Sequence, residues 1–194
     1  MKKEILRDMP EVSQLEAELK RVQHRRRYRT VFRSTIYTLI TVAAVAVLVA
    51  TLWMPVLQIY GKSMTPTLSD GNIVISLKNG DFQTGDIIAF YYNNKILVKR
   101  IIAKSGDWVN IDKDGNVYVN DKPINEPYVS EKALGECDIK LPYQVPESCL
   151  FVMGDHRSVS VDSRSTLVGC VAEEQVVGEI VFRVWPLNEF GAFS

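Results

Sequence analysis

The feature that most constrains this chain is an uncharged and mostly apolar stretch within residues 34–61. A helix needs about 20 apolar residues to cross the roughly 30 Å of a bilayer's hydrocarbon core, and this stretch is long enough. Tyr37 and Trp53 lie near its ends, where amphipathic rings favour the headgroup region. Pro55 follows, where a helix can stop at little cost. We therefore assign residues 34–57 to one transmembrane anchor.

A cleavable secretory peptide is the competing interpretation, because Ala44 and Ala46 have the small-residue spacing of a cleavage site. Apolar residues continue well past Ala46, whereas the apolar region of a secretory peptide is usually only about 7 to 15 residues long. The pattern favours a retained anchor.

Charge asymmetry predicts the orientation of this anchor. Residues 1–33 carry ten basic and five acidic side chains, and five of the basic ones are Arg25, Arg26, Arg27, Arg29 and Arg33. Positive residues that flank a span stay in the cytoplasm. We therefore expect a cytoplasmic basic segment at 1–33 and an extracytoplasmic domain at 58–194.

Apolar residues before the span recur at helical spacing, at Val12, Leu15, Leu19 and Val22, with charges between them. This spacing predicts a short amphipathic helix, which would pair with another helix or lie on anionic lipid. The alternative is a solvated and partly frayed helix, because three turns alone are marginally stable.

After the anchor the pattern changes to short runs rich in Val, Ile, Phe and Tyr, separated by Gly, Asn and Asp. We expect a mostly β fold, a compact antiparallel sheet or barrel-like domain behind the single helix. Residues 112–116 are predicted to be a hairpin loop. The predicted strands are 72–77, 86–92, 96–103, 116–120, 150–153 and 175–184.

A serine directly follows the anchor. Ser63 precedes Thr65-Pro66, and proline biases the preceding residue away from helix, so the segment should be an extended strand or a turn. Such a segment can present the hydroxyl and the backbone N–H of Ser63 together. A serine in this setting is more often a polar loop residue than a nucleophile.

Two adjacent cations interrupt the apolar strand 96–103. Successive side chains on a strand alternate between faces, so Lys99 shares a face with Leu97 and Ile101 while Arg100 points the other way. Aliphatic neighbours desolvate the ammonium and lower its pKa, as a lysine general base requires. The alternative role for Lys99 is an edge-strand charge or an ion-pair partner.

Hydroxyls, carboxylates and guanidiniums are concentrated in residues 154–164, the polar loop. Such density is costly unless the groups satisfy one another, and a solvated turn or a cation site is an alternative. The loop lacks the D-x-D-x-D-G pattern of a calcium site. Cys137, Cys149 and Cys170 show no metal-binding spacing; Cys137 and Cys149 would pair in an oxidising compartment, or all three are small apolar residues.

Four motifs occur in one order along the chain. They are Ser-Met-x-Pro-Thr-Leu at 63–68, Gly-Asp-Ile at 85–87, Lys-Arg-Ile-Ile at 99–102 with Gly-Asp at 106–107, and Gly-Asp-x-Arg-x-x-Ser-x-Asp-Ser-Arg at 154–164. Behind a single span, this series resembles the conserved boxes of bacterial type I signal peptidases, from the anchor to about Trp185.

The resemblance implies a serine endopeptidase that acts on signal-peptide-bearing pre-proteins through an acyl-enzyme, with Ser63 as nucleophile and Lys99 as general base. Ser160 matches the serine that hydrogen-bonds and orients the lysine. Asp162 and Arg164 match the ion pair that braces the polar loop. Met64 matches a residue packed behind the nucleophile.

Two departures from the family pattern bear on the site. Gly61 stands where the Gram-negative branch has a serine that helps bind the oxyanion, which resembles the Gram-positive branch and leaves the N–H of Ser63 as the donor. His156 stands where the family usually has asparagine. We expect that His156 does not act as a second base, because Lys99 already fills that role. Residues 108–153 are too few for the large second β domain of the Gram-negative enzymes.

Two other classes remain as alternatives. A related Ser/Lys protease, such as a self-cleaving repressor or a conjugation-specific maturation protease, shares the dyad, but a repressor needs a DNA-binding helical domain rather than an anchor. A non-catalytic membrane-anchored β domain requires the four motifs to be coincidental. We expect pre-proteins and membrane lipid as partners, and no nucleic acid, metal or organic cofactor.

Overall fold

The computed structural model describes residues 12–78 and 80–193. Residues 1–11, which belong to the predicted basic segment 1–33, lie outside the described residues. The chain divides into two units at about residue 50, a helical unit and a β unit, and each is described by itself.

Among the residues that the structure describes there is one α-helix, α1, which covers Val12–Trp53. The apolar repeat at 12–22 is therefore not a separate short helix, because residues 12–54 contain neither glycine nor proline. Within α1 an 18-residue window has a mean hydropathy of 2.2, and by length and composition α1 can cross a membrane. The hydroxyls of four of its threonines donate to carbonyls four residues earlier, which satisfies these hydroxyls inside the helix, as for Thr38 and Thr41.

The helix ends earlier than the predicted anchor. It stops at Trp53, and residues 56–58 form a strand of the β unit instead of the last helical turn. Pro55 has no N–H to continue the helix, and its own carbonyl accepts the N–H of Ser76 at 2.9 Å. The β-branched residue Val56 then pairs with Ile75 in the sheet.

The described residues of the β unit form twelve strands, and every pairing between them is antiparallel. Eight form one sheet in the order β1-β2-β11-β3-β4-β9-β10 with β12 beside β11, and four form a small sheet in the order β7-β6-β5-β8. The expectation of a mostly antiparallel β fold behind one long apolar helix is confirmed. The strands are β1 (Val56–Gln58), β2 (Ile73–Leu77), β3 (Ile87–Tyr92), β4 (Lys95–Ala103), β5 (Trp108–Ile111), β6 (Val117–Val119), β7 (Lys122–Pro123), β8 (Tyr143–Gln144), β9 (Cys149–Met153), β10 (Val171–Ala172), β11 (Val176–Trp185) and β12 (Gly191–Ala192).

The large sheet is apolar on both faces. Ile87 and Ala89 of β3 join one buried cluster, whereas Ile88 and Phe90 join another, as alternation along a strand requires. The first cluster also contains Met64 and Leu68, so the segment that follows the anchor packs on one face of this sheet. This packing brings the serine segment beside β3 and β4.

The predicted loop at 112–116 joins β5 and β6 as a hairpin. The carboxylate of Asp112 accepts hydrogen bonds from the N–H groups of Asp114 and Asn116 at 3.0 and 2.8 Å. Gly115 has a φ of 81°, which a glycine adopts without strain. The turn residues at these positions therefore account for the hairpin.

Candidate active site

Ser63 and Lys99 lie in direct contact. The Nζ of Lys99 donates to the Oγ of Ser63 at 2.7 Å. The two residues are 36 positions apart, and they come from different elements, a series of turns after β1 and the middle of β4. This is the contact that a lysine base needs to take the proton of a serine hydroxyl.

A turn holds Ser63 in place. Gly61 has a φ of 88° and donates its N–H to Asp70 Oδ1 at 2.7 Å. After Ser63, the N–H of Thr65 donates to the carbonyl of Lys62 at 3.2 Å. Met64 is only 2% exposed and packs into the apolar cluster beneath the turn, which anchors the backbone while Ser63 stays half-buried at its surface.

Lys99 is buried, with 3% of its surface exposed. Burial lowers its pKa from 10.5 to about 8, because the apolar surroundings disfavour the ammonium; Asp162 and Asp155 raise the pKa, and Arg164 lowers it. The next residue, Arg100, points the other way and donates to Asp155, as strand alternation predicts.

Charged side chains of the polar loop pair with one another. Arg164 donates from Nε and Nη2 to the two oxygens of Asp162, at 2.8 and 2.9 Å. Asp162 Oδ2 also accepts the N–H of Gly154 at 2.9 Å. Both side chains are fully buried and satisfy each other's charge, so this part of the loop is not a solvated turn.

Backbone contacts join the polar loop to the serine. The N–H of His156 donates to the carbonyl of Ser63 at 3.0 Å. A side chain added at Gly154 would lie 2.5 Å from that same carbonyl, so only glycine fits there. The ring of His156 contacts Thr65, with Nδ1 and Oγ1 3.0 Å apart, and it makes no hydrogen bond to the Oγ of Ser63.

Ser160 differs from the expectation. The resemblance implies a hydrogen bond from this serine to Lys99, but within the part of the chain that the structure describes the buried Oγ of Ser160 has no hydrogen-bond partner. It packs against Gly154 instead. The Nζ of Lys99 is directed at Ser63, so the base is held by the nucleophile and by burial.

Sequence reasoning missed a second buried network behind the site. Asp155 accepts from Nε and Nη2 of Arg100 at 2.9 and 2.7 Å, and from the hydroxyl of Thr67 at 2.6 Å. One carboxylate thereby ties together the serine segment, the lysine strand and the polar loop. The one feature of the sequence that indicated this network was strand alternation, which points Arg100 away from the face of Lys99.

A groove of about 490 Å³ leads to Ser63 and Lys99. Its walls are residues 57–61 on one side and 95–98 of β4 on the other. Strand β4 pairs with β3 over 95–100, but its pairing with β9 begins only at Arg100. The groove side of β4 therefore keeps an unpaired backbone edge, to which an extended peptide can add as a further strand.

The three cysteines are free, so the pairing of Cys137 with Cys149 is not formed. Burial raises the pKa of the thiols of Cys137 and Cys170. Within residues 12–78 and 80–193 there is no group of three His, Cys, Asp or Glu side chains that could hold a metal ion.

Comparison with known proteins identifies the family. Residues 32–185 match the family described as signal peptidase, peptidase S26. The chain is 38% identical over 152 residues to signal peptidase IB of Staphylococcus aureus strain Mu50, covering 68% of this chain and 78% of that protein. It is 40% identical over 142 residues to signal peptidase I of Bacillus licheniformis, covering 66% and 75%.

Among solved structures, a crystal structure of a signal peptidase I from Enterococcus faecalis V583 is 29% identical, with a TM-score of 0.43, covering 52% of this chain and 97% of that one. The family match itself includes the end of the basic segment, the apolar helix and the β unit as far as Trp185. All four motifs lie inside it. This chain belongs to the signal peptidase family, peptidase S26.

Proposed function

We propose that this chain removes signal peptides from secretory pre-proteins with Ser63 as the nucleophile and Lys99 as the general base. The single observation that carries the assignment is the 2.7 Å hydrogen bond between Lys99 Nζ and Ser63 Oγ at the end of an open groove. Family membership supports the reaction, a serine endopeptidase cleavage of signal peptides.

The proton path follows from this contact. Neutral Lys99 accepts the hydroxyl proton as the Ser63 oxygen attacks the scissile carbonyl, and the resulting ammonium then protonates the leaving amine. The acyl group stays on Ser63 as an ester. Lys99, neutral again, removes a proton from the water that hydrolyses the ester, and the serine is regenerated.

Oxyanion stabilisation falls to the backbone. In the described part of the chain the N–H of Ser63 donates no hydrogen bond, so it is free to bind the developing oxyanion. Gly61 has no side chain to contribute, and its own N–H is bound to Asp70. We assign the N–H of Ser63 as the oxyanion donor that this site supplies.

The groove is suited to a peptide substrate that is recognised mostly through its backbone. An extended peptide beside residues 95–98 hydrogen-bonds to the free edge of β4, which is indifferent to most side chains. Small residues at the first and third positions before the cut fit shallow pockets next to Ser63. We assign the signal-peptide end of the pre-protein to this groove.

The anchor and its arginines supply the topology. Residues 25–33 are strongly basic and stand in α1 directly before its apolar part, so we propose a cytoplasmic N-terminus and an extracytoplasmic β unit. The same arginines are exposed and attract anionic lipid headgroups. A protease added to the cytoplasmic side of sealed vesicles should leave residues 58–194 intact. Digestion of these residues would contradict the proposed orientation.

Lipid contact has a separate test. Purified protein in which Arg25, Arg26 and Arg27 are all replaced by glutamine should retain less phosphatidylglycerol than wild type after extraction from mixed phosphatidylglycerol and phosphatidylcholine vesicles. A variant with Lys113→Gln, an exposed cation of the β unit, is the control. If the triple variant retains as much phosphatidylglycerol as wild type, these arginines do not bind anionic lipid.

Catalysis is tested with a secretory precursor and detergent-solubilised full-length protein. Ser63→Ala and Lys99→Ala should each abolish cleavage, because each removes one half of the dyad. Exposed residues of the same types provide matched controls, Ser105→Ala and Lys113→Ala, which should cleave like wild type. Full cleavage by either dyad variant would refute the assignment, and an inactive wild type would favour a non-catalytic β domain.

A further inference from the structure

An irregular segment between β7 and β8, residues 126–138, lies along the polar loop; we call it the strap. It contains no helix or strand, so its conformation is set by its contacts. Those contacts occur at its start, its middle and its end. None of its residues lines the groove.

The start of the strap holds a buried ion pair. Glu126 accepts from Arg157 Nη2 at 2.6 Å, and the exposed fractions of the two side chains are 1% and 0%. Arg157 also donates from Nε to the carbonyl of Gly154 at 3.0 Å. A guanidinium this deeply buried depends on its carboxylate, because an unpaired buried charge is strongly unfavourable.

The middle and end of the strap bind the other arginine of the polar loop. Arg164 Nη1 donates to the carbonyl of Leu134 at 2.7 Å. Gly135 approaches so closely that an added side chain would lie 2.5 Å from the carbonyl of Arg157. Asp138 donates its N–H to the carbonyl of Arg164 at 3.1 Å. The strap is thereby attached to the polar loop at both Arg157 and Arg164.

Tyr128 contacts the lysine strand. Its ring lies over the guanidinium of Arg100, with 3.9 Å from Cζ to the ring centre, which is a cation–π contact. Burial raises the pKa of Tyr128 to about 12, so the ring stays neutral. Arg100 in turn is the residue next to Lys99 and the partner of Asp155.

These contacts connect the strap to both halves of the dyad. His156, whose N–H binds the carbonyl of Ser63, is adjacent to Arg157, the partner of Glu126. Lys99 is adjacent to Arg100, the partner of Tyr128. Each reacting side chain is therefore one short link from a buried cation that the strap holds in place.

We propose that the strap sets the relative position of Ser63 and Lys99, with Glu126 and Tyr128 as positioning residues that touch neither substrate nor the reacting atoms. The proposal rests on the assignment of Ser63 and Lys99 as the dyad. Because the groove is built from other residues, a loosened strap lowers kcat and leaves KM unchanged.

Glu126→Gln is the main test, in the full-length protein with a precursor peptide. The amide has nearly the shape of the carboxylate but leaves the charge of Arg157 without its counter-ion. We expect kcat to fall by about 10- to 100-fold, since small misplacements of reacting groups cost that much, with KM within about twofold of wild type. Glu126→Asp keeps the charge and should restore part of kcat. Glu131→Gln, an exposed carboxylate of the same strap, should match wild type.

A second pair of variants covers the case in which Glu126→Gln does not fold, as judged by circular dichroism and thermal unfolding. Tyr128→Phe keeps the ring over Arg100 and should keep kcat. Tyr128→Ala removes the ring and should lower kcat at least about fivefold with KM unchanged.

The outcomes separate this proposal from the function itself. Folded Glu126→Gln or Tyr128→Ala with wild-type kcat overturns the strap proposal, and so does a rise in KM at constant kcat, which would make the strap part of the groove. Activity in Ser63→Ala overturns the dyad, whatever the strap variants do. Inactive Ser63→Ala together with the expected kcat losses supports both.

Discussion

Burial of Lys99 makes a quantitative prediction about pH. The structure lowers the pKa of this lysine from 10.5 to about 8, mainly because burial disfavours the ammonium. About one tenth of the lysine is then neutral at pH 7, half at pH 8 and roughly nine tenths at pH 9. With an ordinary pKa, under about 1% would be neutral at pH 8, so burial raises the competent fraction by a factor of about a hundred.

The assay is kcat/KM for a precursor peptide between pH 6 and pH 10, in detergent. The rate should rise about tenfold per pH unit at low pH and level off above an apparent pKa of about 8, because only the neutral amine accepts the serine proton. A rise that continues to pH 10 without levelling off, as an ordinary lysine pKa of 10.5 requires, would refute the burial argument.

The same shift predicts an effect on stability, and its sign can be worked out. Because the folded-state pKa lies below the unfolded one, the native protein must bury an ammonium below pH 8; this costs about 3 kcal/mol, and the cost disappears as pH rises through 10.5. Lys99→Met removes that cost but also the bond to Ser63, which is worth about 1 kcal/mol. The inactive variant should therefore be more stable than wild type by about 2 kcal/mol at pH 7 in denaturant unfolding. Lower stability at pH 7 would contradict this account.

Three further predictions concern the surroundings of the dyad. Gly154→Ala would place a methyl group 2.5 Å from the Ser63 carbonyl and should lower kcat at least about tenfold, whereas Gly191→Ala, with nothing within 4 Å, should match wild type in initial-rate assays. Asp162→Asn leaves buried Arg164 without its carboxylate and should cost about 3–5 kcal/mol in the free energy of unfolding; a change below about 1 kcal/mol would show that the pair is not a brace. His156→Gln should keep kcat/KM within about threefold, since the ring contacts Thr65 and not Ser63, and a loss of kcat/KM by more than about a hundredfold would give the histidine a part in the reaction.

Patterns of short range were enough to predict much of the site. Alternation along one strand places Lys99 and Arg100 on opposite sides, and the structure has them so, one at Ser63 and the other at Asp155. Turn residues likewise predicted the hairpin between β5 and β6. Both inferences depend on a few neighbouring residues, for which local stereochemistry decides the outcome.

Contacts between residues far apart in the chain could not be predicted in this way, because they leave no pattern in the local sequence. Glu126 and Arg157 are 31 positions apart, and neither stands in a regular element whose period could indicate burial. Strand β1 has only three residues, too few for alternation to distinguish it from the end of an apolar helix, so the predicted anchor ran past Trp53. The orientation of Ser160 depends on its packing against Gly154, which only the folded loop determines.

The arrangement of charges around Lys99 explains how the pKa of this lysine stays low next to two carboxylates. Asp162 and Asp155 each raise the pKa of the lysine, because a nearby negative charge favours the ammonium. Each is bound to its own guanidinium, Asp162 to Arg164 and Asp155 to Arg100. Arg164 acts on Lys99 in the opposite direction to Asp162, so the pair brings little net charge to the base. Burial is the largest influence on the pKa of Lys99, and Arg164, which also lowers this pKa, therefore contributes to the site as well as to the buried pair with Asp162.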